Sequence, residues 1–251
     1  MYIINLMAAA LTYGGYYGYR STGGNYGLYI ILTLAVIALP LIAQINVTST
    51  FSKYSKISNS RGLTADQVAR MILDSNGLQH VVIEHISGNL SDHFDPKANV
   101  VRLSDSVYGK TSVAAIGVAA HECGHVCQHA ENYAPINLRS KLVPITSICS
   151  RLWYLVLIIG LVLSSLTIGS TLVYVSIIMF AAVVVFQLVT LPVEFDASNR
   201  ALKTLESDGI LEMGEIPHAQ KVLRAAALTY VASLISSILQ LIRLLASVRR
   251  R

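Results

Sequence analysis

The chain has 251 residues, of which 53% are hydrophobic and only 13% charged. An average soluble domain carries about 25% charged residues, so this composition, with a mean hydropathy of +0.56, indicates an integral membrane protein. The net charge of +5 comes from scattered basic residues without interleaved aromatics, which argues against nucleic-acid binding, and three cysteines without a framework argue against a disulfide scaffold.

In chain order, residues 1–26 are rich in Gly and Tyr ("YGGYYGYRSTGGNYG"). They lack the basic start of a cleaved signal peptide, and they read as an interfacial segment because Tyr favours the membrane–water boundary. A spanning helix needs about 20 mostly apolar residues. Gly27–Val47 meets that requirement despite Pro40. Residues 48–150 are long enough for a small domain. Within them, "LTADQVARMILDSNGL" predicts an amphipathic helix, with Thr64 and Gln67 as a capping box and Gly77 as its stop. "HVVIEHI" predicts a strand, and a turn at Asp95-Pro96 leads to a second strand, Asn99–Leu103. A helix then begins at a Thr/Ser cap and runs to Asn132; its Val-, Ala- and Gly-rich first half predicts burial on nearly all sides.

Residues 152–191 supply two more spans, Leu152–Gly169 and Thr171–Leu191, joined as a tight hairpin. Residues 192–224 return to a polar composition. Residues 225–251 hold a fourth apolar helix and a basic tail. Thr229, Ser233, Ser236, Gln240, Arg243 and Ser247 form one polar stripe along that helix, compatible with a span that packs its polar face on neighbours or with an interfacial helix. Lys53, Lys56, Arg61, Arg139, Lys141, Arg151, Arg200, Lys203, Lys221 and Arg224 flank the first three spans. By the positive-inside rule these segments are cytoplasmic and the N-terminus is outside.

The chemistry centres on "HECGH", residues 121–125. His121 and His125 are i and i+4, so they share one helix face, and Glu122 sits roughly 100° away. This H-E-x-x-H pattern lets two imidazoles bind one zinc ion while the glutamate acts as general base on a water. A catalytic zinc needs a third protein ligand and an open position. The metzincin pattern would require Gly at 128 and His at 131; the chain has Gln128 and Glu131, which excludes it. His129 drifts off the ligand face. Glu194 is the leading third ligand, because carboxylates so near a membrane segment are costly and usually functional. Pro192 is read as starting a new helical turn there, with Glu194 and Ser198 sharing a face. Glu131, Glu206, Glu212 and Glu215 are lesser candidates, explicable as solvated residues. Cys123 and Cys127 are read as buried packing thiols; the helical period keeps a Cys123/Cys127/His129 site from sharing an ion with His121 and His125.

The blocks "AIGVAAHECGHVCQHA", "FQLVTLPVEFDASNRAL", "SDHFDPKANVVRLS" and "KVLRAAALTYVA" resemble the YugP-type neutral zinc metallopeptidases of bacteria, from about residue 45 onward. That family is in turn similar to membrane gluzincins such as the HtpX and CAAX-prenyl protease group. The resemblance implies His121, His125 and Glu194 as zinc ligands and Glu122 as base. Ser198 stands where the wider group has aspartate, with Asp196 or Asp95 as alternative supports for a ligand histidine.

The expectation is a mainly α membrane protein of three or four transmembrane helices, with a small α+β zincin-like cytosolic domain containing the HExxH helix. Its expected function is a zinc-dependent endopeptidase of the bacterial cell membrane, multi-pass, with one Zn²⁺ per chain and a protein or peptide substrate. Val100, Val101, Arg102 and Leu103 are the candidate edge strand for that substrate. His218, Arg200 and Tyr230 are candidate oxyanion helpers. The rival is a non-catalytic membrane protein whose zinc joins the cytosolic domain to the helix bundle; it needs the same ligands but not Glu122.

Overall fold

The computed structural model describes residues 26–248. The interfacial segment expected at 1–26 and the terminal arginines at 249–251 lie outside the described residues, Tyr26 excepted. In chain order the elements are α1 (Tyr26–Tyr54), α2 (Ala65–Ser75), β1 (Val82–Ile86), β2 (His93–Asp95), β3 (Val100–Ser104), α3 (Val113–Ala130), α4 (Ala134–Val162), α5 (Thr167–Ser207) and α6 (Ile216–Val248). They form two compact units. One takes its described residues from 26–44, 139–189 and 229–248; the other comprises 45–138 and 190–228.

Four helices are long and apolar enough to cross a membrane: Ile30–Tyr54, Ala134–Val162, Thr167–Ser207 and Ile216–Val248. Pro40 sits inside α1. It withholds only one backbone donor there, a loss that membrane helices tolerate. The hairpin turn falls at residues 163–166, several residues before the boundary expected at 169–171. "LSSL" contains nothing strongly polar, so hydropathy does not mark it; the backbone does. A Cβ on Gly169 would collide with the Leu163 carbonyl, and one on Gly160 would come within 2.9 Å of the Gly169 carbonyl. Only glycines let the two helices close that tightly. Trp153 and Phe180, both fully buried, pack with ring centroids 4.5 Å apart.

The orientation of the α6 stripe decides its character. Ser236, Gln240, Arg243 and Ser247 are buried, while Leu228, Ile235, Ile238, Ile242 and Leu245 are exposed. An interfacial helix would turn its polar face to water; α6 turns it inward, the pattern of a span packed on neighbours.

The second unit is built around α3. Ser112 caps it, its Oγ accepting from the Ala115 amide at 3.2 Å, and fourteen of its residues are buried. The amphipathic α2 lays Ala65, Val68, Ala69, Ile72 and Leu73 into the same core. Its start is fixed by Gln67 Oε1, which accepts from the Thr64 amide at 3.0 Å. Its end is fixed by Gly77 at φ 73°, a left-handed conformation that favours glycine. The sheet has the order β1-β3-β2. β3 pairs in parallel with β1, Val82 opposite Val100, and antiparallel with β2, His93 opposite Arg102.

This order corrects one expectation. Val100, Val101, Arg102 and Leu103 form the central strand, not an edge. Both sides of β3 are already hydrogen-bonded, and Val100, Val101 and Leu103 are buried, so it cannot accept a further strand. The free edges belong to β1 and β2.

α5 departs from expectation in another way. It runs unbroken for 41 residues, with Pro192 inside it rather than at a helix start. Proline removes one hydrogen bond, to the carbonyl four residues back; here the packing of Val193, Ala197, Ala201 and Leu205, all buried, keeps the helix continuous beyond it.

Candidate metal centre

α3 and the C-terminal part of α5 build the site. The two helices approach closely at Gly124, where an added Cβ would lie 2.7 Å from the Ala197 carbonyl oxygen. No side chain fits there, so the glycine inside "HECGH" sets how near α5 can come. That proximity brings Glu194 to the two histidines. Its Oε2 lies 3.4 Å from His121 Nε2 and 3.7 Å from His125 Nε2. The three donors lie within 4.8 Å of one another and are the only such group among the described residues.

The donor set fits a tetrahedral zinc. With bonds of roughly 2.0–2.2 Å, ligand atoms in such a site lie roughly 3.3–3.5 Å apart. Two imidazoles and a carboxylate match zinc's preference, and three protein ligands leave a position open. Glu194 is 2% exposed, where an unpaired carboxylate would be costly.

Each imidazole is held by its other nitrogen. Ser198 Oγ lies 3.2 Å from His121 Nδ1. His125 Nδ1 lies 3.0 Å from Gln128 Oε1. The Gln128 amide is oriented by its partners: Nε2 donates to the Val193 carbonyl and to Asp196 Oδ2, both at 2.8 Å, and both can only accept. Oε1 therefore faces His125, whose Nδ1–H donates to it and whose Nε2 points to Glu194. Asp196 in turn accepts from Arg200 Nε at 2.6 Å, and Arg200 Nη1 reaches both oxygens of Glu131 at 2.8 Å. Burial alone would push the His125 pKa down, but the hydrogen bond with Glu194 and the charge of Glu122 outweigh it and hold it above its usual value.

Glu122 follows His121 directly, is 8% exposed and makes no hydrogen bond to any described residue. Asp196 supports His125 only through Gln128. Asp95 is held elsewhere, by Arg102 at 2.7 Å. Arg200, considered above as an oxyanion helper, is engaged by Glu131 and Asp196. His218 stacks on Tyr54 with centroids 5.1 Å apart, and Tyr230 is exposed further along α6. His129 packs edge-on against Phe94 at 5.6 Å. Cys123 and Cys127 are free and buried, and burial pushes both thiols up, away from the thiolate form that binds metal.

Sequence reasoning used Gln128 only to exclude another class. Its signal was the helical period: residues 121, 125 and 128 are i, i+4 and i+7 on one face.

The family model described as "Putative neutral zinc metallopeptidase" matches residues 29–249. The chain belongs to that family. The neutral zinc metallopeptidase match is reinforced by a curated relative, the "Putative membrane protease YugP" of Bacillus subtilis (strain 168). It is 46% identical over 216 residues, covering 86% of this chain and 94% of the relative. No solved structure matches the chain significantly.

Proposed function

We propose that this member of the neutral zinc metallopeptidases is a multi-pass endopeptidase of the bacterial cell membrane. It holds one zinc ion per chain on His121, His125 and Glu194, and its site faces the cytoplasm. The observation that carries this is the convergence of two imidazole Nε2 atoms and one carboxylate oxygen in a buried, three-ligand arrangement beside Glu122. The side follows from the basic residues flanking the spans, and the catalytic domain is the unit of residues 45–138 and 190–228.

When bound, zinc supplies Lewis acidity, lowering the pKa of a water toward about 7 and polarising a carbonyl. The chain's residues do the rest. Ser198 and Gln128 fix the two ring orientations. Glu122, buried and without a hydrogen-bonded partner among the described residues, accepts a proton at its carboxylate and delivers it to the leaving amine nitrogen. Of the two free sheet edges, that of β2 belongs to the strand packed against α3, and an extended peptide is placed there by main-chain pairing.

A structural zinc joining domain and bundle would have no use for a buried, unpartnered glutamate beside the ligands. Glu122→Gln separates the readings. In proteoliposomes, peptide cleavage is expected to fall by at least about 10²- to 10⁴-fold while zinc content stays at one per chain. Undiminished cleavage would sink the assignment of the base.

A further inference from the structure

We infer that Gln128 is a positioning residue for the metal centre: one buried amide both orients His125 and ties down the turn of α5 that carries Glu194. This rests on the zinc reading above and extends it to how the ligand set keeps its spacing.

Gln128 is fully buried, and three groups from two helices meet at its side chain. Its Oε1 accepts from His125 Nδ1–H. Its Nε2 donates to the Val193 carbonyl, the residue immediately before Glu194, and to the Asp196 carboxylate, two residues after it. The amide thus brackets Glu194 on both sides while holding the histidine that faces it. Val193 is fully buried. Its carbonyl lies within the α5 ladder, so the Gln128 amide is an added, cross-helix donor that ties this turn of α5 to α3.

The far side of Asp196 is closed by Arg200, and Arg200 by Glu131 at the end of α3. A continuous path therefore runs from His125 through Gln128, Asp196 and Arg200 back to the helix on which it began. The loop closes on α3 and so opposes separation of α3 from α5. Ser198 gives His121 its own partner, but that contact touches only one ligand and a single hydroxyl. The two histidines are supported unequally, and the stronger support is the one that also reaches the Glu194 turn.

The test uses the full-length chain in detergent, with zinc alone as the probe and competition against a chromophoric chelator as the readout. Gln128→Leu keeps the volume and removes all three hydrogen bonds. Zinc affinity is expected to fall by roughly 10- to 100-fold, the usual consequence of losing a partner of a metal-bound histidine, with helical circular dichroism unchanged. The cobalt-substituted variant is expected to show a shifted visible spectrum, which a distant packing defect would not produce. Zinc affinity within twofold of the parent, with an unshifted cobalt spectrum, overturns the inference. Should Gln128→Leu lose its helical signal, Asp196→Asn decides instead. It leaves Gln128 in place but weakens its anchor, and a several-fold loss of affinity is expected; parental affinity overturns the inference. The two layers fail separately. If the parent chain does not bind zinc, or if His121→Ala leaves binding unchanged, the zinc reading falls. If the parent binds and Gln128→Leu binds equally well, only the role of Gln128 falls.

Discussion

The two units of this chain solve the burial of polar groups in opposite ways. All fourteen carboxylates of the sequence lie within residues 45–138 and 190–228; the other unit has none. In that apolar unit three buried hydroxyls are satisfied locally, while Ser236 Oγ has no partner among the described residues. Ser176 donates to Val173 O at 2.7 Å, Thr146 to Leu142 O at 2.8 Å and Ser247 to Leu244 O at 2.6 Å. Arg243 donates to Gln240 one turn away. In the carboxylate-bearing unit the buried polar groups reach across elements: Ser198 to His121, Gln128 to Val193 and Asp196. A helix that faces lipid satisfies its backbone within its own turns, and these hydroxyls use the same carbonyls. A site domain is free to join distant parts of the chain, and metal chemistry needs such joins.

The difference yields tests in order of expected size. Ile178 is 69% exposed on α5 in the carboxylate-free unit. Ile178→Asp should oppose membrane insertion by about 3 kcal/mol, read as a loss of the inserted fraction in a translocation assay; full insertion would break the contrast. Gly124→Ala acts in the other unit. The new methyl meets the Ala197 carbonyl, and overpacking of this kind costs about 1–3 kcal/mol. Lower thermal stability is expected together with weaker zinc binding, because α5 must move away from α3. Weaker zinc binding without lower stability would separate the two effects.

The smallest effect concerns the sheet. Arg102 holds the Asp95 carboxyl down from 3.8 to about 2, with help from the Ala98 and Lys97 amides. A depressed carboxylate contributes stability that is present above its unfolded pKa and is lost as pH falls through the folded one. Wild type should therefore exceed Arg102→Ala in stability by a constant margin above about pH 4, and the margin should close toward pH 2. Chemical denaturation at several pH values reads this, and a pH-independent margin would remove the pair from the account.

Much of this was written in local spacing. The 3.6-residue period put His121 and His125 on one face, and hydropathy marked three membrane helices and a fourth candidate because lipid imposes length. The amphipathic period of α2, the Gly77 stop and the Ser112 cap are equally local. What was not legible depends on partners far along the chain. "NVVRLS" is legible as a strand, yet its place at the sheet centre depends on β1 and β2, which no local pattern reveals. Pro192 looked like a helix start because proline usually is one; the buried residues after it override that preference. Gln128 was visible as a position but not as a contact, since its partners Val193 and Asp196 lie more than sixty residues away. Gly124 stood in plain view within the motif, but the carbonyl it makes room for did not.

The unbroken course of α5 also has a consequence for the order in which the site comes into being. Residues are added from the N-terminus, so His121, Glu122 and His125 are synthesised before α4 and α5. A nascent chain short of residue 194 carries Glu122 and two imidazoles but not the three-donor group. Assembly of that group is thereby postponed until both arms of the hairpin exist. Synthesis itself sets the moment at which the three donors can first meet.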